Sequence, residues 1–82
     1  MEKELTTFVF DAEHLDDYGR GFVSGLMYLL TGRPGKTYRW VKAKEDDGQP
    51  IWIKELDCTV DQGAEIAKEI EKLFPKALVE LS

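Results

Sequence analysis

Thr37-Tyr38-Arg39-Trp40-Val41-Lys42-Ala43-Lys44 and Ile51-Trp52-Ile53-Lys54-Glu55-Leu56 flank the polar stretch Glu45-Asp46-Asp47-Gly48-Gln49-Pro50. Both runs are rich in β-branched and aromatic residues, which suit a pleated, half-buried surface. Asp-Gly between two such runs is a strong hairpin signal. The spacing predicts strands over 37–44 and 51–56 joined by a six-residue loop. The rest of the chain is read outward from this hairpin.

On the N-terminal side, Pro34-Gly35 predicts a turn, and Gly32 predicts a helix end where the left-handed conformation is needed. Apolar residues at Leu15, Tyr18, Phe22, Leu26, Leu29 and Leu30 recur at helical spacing. They predict a helix from Leu15, or one from near Arg20 if residues 11–19 form a loop. Leu5-Thr6-Thr7-Phe8-Val9-Phe10 predicts a strand ahead of it. On the C-terminal side, Thr59 followed by Gln62 fits a capping box. Ala64, Ile66, Ala67, Ile70, Leu73 and Phe74 then line one helix face, and Pro75 stops it. Residues 77–81 predict a last short strand.

The order is β-α-β-β-α-β. It resembles the ferredoxin-like fold, an α+β sandwich of a four-stranded antiparallel sheet with two helices on one face. The resemblance is one of architecture. This fold hosts many unrelated activities, so it licenses none by itself. With 82 residues there is room for one core, and residues 1–82 are expected to form a single domain with a thin stability margin.

Composition narrows the function classes. The net charge of −5 opposes general nucleic-acid binding, which needs Lys and Arg to displace counterions from phosphates. The uncharged stretch between Arg20 and Arg33 is too short for a bilayer, which takes about 20 apolar residues. Met1-Glu2-Lys3-Glu4 lacks a secretory start. Cys58 is the only cysteine, so no internal disulfide can form. Together these predict a cytoplasmic protein with no membrane association.

Candidate chemistry is sparse. Gly35-Lys36-Thr37 lacks the first glycine and the strand-to-helix order of a phosphate-binding loop. The glycines between Gly19 and Gly25 lack the doubly wound sheet that a dinucleotide fingerprint requires. Close packing of Gly21 and Gly25 against a neighbouring backbone would instead account for them. Asp11, Glu13, His14, Asp16 and Asp17 form the densest set of possible metal ligands, without a known ligand spacing. Acids near a helix start also serve the dipole. Cys58 lies just before a helix N-terminus, which lowers thiol pKa, but lone cysteines are mostly small buried hydrophobes. No catalytic residue, metal or cofactor is predicted.

The strands are more informative. Side chains alternate across a strand, and each of these strands is apolar on both sides. Two helices cover only one face, so the other keeps an exposed apolar set, the mark of an interaction surface. Phe8, Phe10, Tyr38, Arg39, Trp40 and Trp52 are the predicted binding surface, since aromatic anchors with Arg nearby are common hot-spot chemistry. The function read from this is a small non-catalytic protein-binding or self-assembling module. Its partner would be another protein or itself, as a homodimer joined through the helix-free face. Trp40 and Trp52 would differ in burial if one lay in the core and the other in the interface. Arg33, Lys36, Arg39, Lys42 and Lys44 form a basic strip suited to an acidic protein surface. One alternative is binding of single-stranded nucleic acid or nucleotides on an aromatic sheet face. Another is an acidic inhibitor or regulator that mimics nucleic acid.

Overall fold

The computed structural model describes residues 4–32 and 40–82. Its elements are β1 (Glu4–Asp11), α1 (Asp17–Thr31), β2 (Trp40–Lys44), β3 (Pro50–Cys58), α2 (Val60–Leu73) and β4 (Leu78–Leu81). The strands form one antiparallel sheet in the order β2-β3-β1-β4, and both helices lie on one face of it. This is the ferredoxin-like α+β topology. Positions 37–39 of the predicted second strand and the turn at Pro34-Gly35 lie outside the described residues.

Polar side chains set the helix starts. The Asp11 carboxylate accepts from the Glu13 N–H at 2.9 Å and opens a 3-10 turn over Ala12–His14. Asp16 then accepts from the Gly19 N–H at 2.8 Å and caps α1. Residues 12–16 are therefore a turn capped by Asp11, and the regular helix begins at Asp17, between the two predicted starts. Gly32, at φ 69°, ends α1 in the left-handed conformation, and its N–H donates to the Tyr28 carbonyl. At α2 both halves of the capping box form: Gln62 N–H to Thr59 Oγ1 at 3.1 Å, and Thr59 N–H to Gln62 Oε1 at 3.0 Å. Thr59→Ala is expected to cost about 1 kcal/mol, read as a lower urea midpoint at an unchanged slope.

The core lies between sheet and helices. Phe8, Phe10, Leu56 and Cys58 from the strands meet Val23 and Met27 of α1 and Ile66 and Ile70 of α2. The α1 face that enters the core matches the predicted one only in part: Leu15 is buried, and Leu26 and Leu30 pack against the core. Gly19, Val23 and Met27 are its buried helical positions, whereas Tyr18 and Leu29 point outward and Phe22, half-exposed, meets the Phe74 ring edge-on at 6.0 Å. The helix is apolar almost all round, so periodicity alone allowed more than one inward face. Gly19 lies on this buried face, where Leu15 packs over it: a Cβ there would come within 2.7 Å of Leu15 Cδ1. Among the described residues, the predicted packing of Gly21 and Gly25 against a neighbouring backbone does not occur. A Cβ at either position would meet nothing within 4 Å. Each therefore forgoes about 1 kcal/mol of helix stability relative to alanine with no intramolecular contact in return.

Candidate interaction surface

Hairpin register decides which side chains share a face. Lys44 pairs with Pro50, so the loop is the five residues Glu45–Gln49, one fewer than predicted. Gly48 takes φ 88° there, and its N–H donates to the Glu45 carbonyl at 2.9 Å. A one-residue change of register moves every side chain of a strand to the other face. With this register Trp40 and Phe8 both pair with Lys54, while Lys42 and Phe10 both pair with Trp52. All six lie on the helix-covered side.

The predicted binding surface is thereby corrected. Phe8 and Phe10 are fully buried in the core, with rings 6.4 Å apart. Trp40 and Trp52 do not divide between core and interface. They are both partly buried on the helix side and meet edge to face at 6.4 Å. Trp40 Nε1 donates to Ser24 Oγ of α1 at 2.9 Å, and the Arg20 guanidinium lies 4.1 Å from the Trp52 ring. Tyr38 and Arg39 lie outside the described residues, as do Arg33 and Lys36 of the basic strip. Lys42 and Lys44 take the helix side of β2.

The helix-free face is aliphatic instead. Leu5 and Val9 of β1, Val41 and Ala43 of β2, and Ile51 and Ile53 of β3 occupy it by alternation. An irregularity in the β1–β4 pairing at Val9/Phe10 places Val79 beside Asp11 and Ile51. Leu5, Val41 and Val79 are 61%, 48% and 56% exposed. Val9 and Ile51, mid-sheet, are buried by their neighbours yet stand apart from the main core.

Acids surround this patch. Asp57 pairs with Leu5, Glu55 with Thr7 and Glu80 with Val9, and Asp11 pairs with Ile51. Glu45, Asp46 and Asp47 line an open depression with Asp11, Ile51 and Val79 at the hairpin end. Among the described residues, no Lys or Arg occupies a strand position on this face. The strand lysines Lys42, Lys44 and Lys54 all lie on the other side.

The acids at 11–17 serve mostly local structure. Asp11 accepts from His14 Nδ1 at 2.8 Å and from Gln49 Nε2 at 3.0 Å, tying the hairpin loop to β1. The Glu13 backbone N–H, followed by His14, holds the Asp11 carboxyl below the usual carboxylate range. Asp17 pairs with Arg20 along α1. Among the described residues no three His, Cys, Asp or Glu side chains converge as metal ligands. Cys58 is fully buried, its Sγ 3.5 Å from Thr6 Oγ1. Among the described residues no helix is long and apolar enough to cross a membrane.

The fold and this face define a ferredoxin-like α+β chain with an aliphatic, acid-rimmed open sheet. No protein-family model matches the chain, and neither a curated protein nor a solved structure gives a significant match.

Proposed function

We propose that this chain is a non-catalytic protein-binding module whose helix-free sheet face receives an apolar segment flanked by Lys or Arg. One observation carries this reading: an exposed aliphatic patch whose charged strand and hairpin-loop neighbours, among the described residues, are all acids. Apolar contact supplies affinity, while a rim of one sign selects a partner of the other and speeds encounter. The same rim opposes two copies meeting through this face, since acids would face acids. It also repels a phosphate backbone, and the aromatic residues that could stack bases lie on the helix side. The acid rim gives some support to the second reading, an acidic regulator occupying a basic surface on another macromolecule.

The test is titration with a peptide of alternating leucine and lysine, alongside a leucine–glutamate peptide and a single-stranded oligonucleotide. The basic peptide is expected to bind, shifting the amide resonances of Val9, Val41 and Ile53, and to weaken with salt. Replacing Val41 and Val79 with serine together should weaken it about tenfold. Shifts confined to the helix side, or tighter binding of the oligonucleotide, would overturn the reading.

A further inference from the structure

The outer side of α1 is a second apolar surface, separate from the sheet face. Tyr18, Phe22, Tyr28 and Leu29 are 90%, 51%, 46% and 79% exposed, Phe22 resting one edge on Phe74 and leaving about half its surface open. Positions 18, 22, 25 and 29 follow helical spacing and form one stripe along the helix. It reads Tyr18, Phe22, Gly25, Leu29, with Gly21 alongside.

We infer that this stripe is a homodimer interface, occupied by α1 of a second copy lying antiparallel to the first. The stripe is complementary to itself. Turned end for end about its midpoint, Tyr18 meets Leu29 of the other copy and Phe22 meets Gly25. Each contact occurs twice, as a closed two-fold interface requires. A benzyl ring thus falls on the position without a Cβ, and a second ring falls on a leucine. Gly21 and Gly25 leave the space that lets two helices approach closely, which accounts for glycines that meet none of the described residues of their own chain.

Charge and area agree with this occupant. The charged residues of α1 are Asp17 and Arg20, and they pair with each other, so two copies meet without a net like-charge penalty. A helix lying on a membrane surface would instead carry several Lys or Arg beside its apolar face. Aromatic side chains present about 150–250 Å² each. The exposed fractions of Tyr18, Phe22 and Leu29 therefore offer roughly 400 Å² per copy, or roughly 800 Å² for the pair, the size of a weak, transient contact. The dimer is accordingly a reversible one that forms in the micromolar to sub-millimolar range. It leaves the helix-free sheet face of each copy open.

Sedimentation velocity of the full chain from about 5 to 500 µM, beside thermal unfolding at the dilute end, tests the assignment. The wild-type chain should shift from monomer to dimer. Gly25→Ala should move the two measurements in opposite senses. The melting midpoint of the dilute monomer rises by roughly 4 °C, since the added Cβ is unopposed and improves the helix. The dimer dissociation constant rises at least tenfold, since that Cβ displaces the partner's ring. Tyr18→Ser should also weaken association with little effect on melting. Four results would overturn the proposal: a monomer throughout; a dimer indifferent to Gly25→Ala and Tyr18→Ser; a dimer abolished by the serine substitutions at Val41 and Val79; or phosphatidylcholine vesicle binding lost on Tyr18→Ser.

Discussion

Phe10→Ala should destabilise the chain by about 3–5 kcal/mol, the cost of removing a large buried aromatic and leaving a cavity. The side chain is fully buried, stacks beside Phe8 and lies 5.3 Å from the Trp40 ring. A domain of this size holds roughly 4–12 kcal/mol in total. The variant should therefore be partly unfolded at 37 °C, with a sharply lower urea midpoint. Tyr18→Ala, at an exposed position of α1, should stay within about 0.5 kcal/mol of the parent. An unchanged urea midpoint in Phe10→Ala would mean that Phe10 faces the open side and that the sheet faces are exchanged.

The second large effect concerns Lys54, which is fully buried between Phe8 and Trp40 in the sheet register, its Nζ 4.8 Å from the Trp40 ring. Burial lowers its pKa from 10.5 to about 8. Below pH 8 the lysine is charged in both folded and unfolded chains, and the fold bears the full desolvation cost. Between pH 8 and 10.5 the folded chain has released the proton and the unfolded chain has not. The unfolded state then binds more protons, so stability climbs with pH across this window and levels off above it. The shift corresponds to a gain on the order of 3 kcal/mol. Urea unfolding at successive pH values should show the rise, and Lys54→Met should flatten it. A wild-type profile that is level or falling from pH 8 to 10 would refute the assignment.

Element order was legible in the sequence because its signals are local. Asp47-Gly48, Gly32, the Thr59–Gln62 box and Pro75 each act within a few residues. Which way the sheet faced was not legible. The two tryptophans change relative side with a single residue of loop, and the loop length was fixed by Lys44 pairing with Pro50 and the tie from Gln49 to Asp11. The aliphatic residues of the open face were visible as an alternating set. Without the register, however, they could not be told from core, and the acids Glu55, Asp57 and Glu80 could not be seen to gather around them. The inward face of α1 was hidden for a related reason. The periodic set mixes Leu15, Leu26 and Leu30, which meet the core, with Tyr18, Phe22 and Leu29, which do not, while the buried Val23 and Met27 fall outside it.

The rims of the sheet have a separate consequence. β2 and β4 are its outer strands, and an unprotected rim offers free backbone groups on which further strands can polymerise. β4 is only four residues long, with irregular pairing at Val9/Phe10, and β2 carries Lys42 and Lys44 along its length. Brevity, a break in register and lysine charge are all features that discourage edge-to-edge growth. In a chain with so much exposed apolar surface, these features act against fibrous growth through the sheet edges.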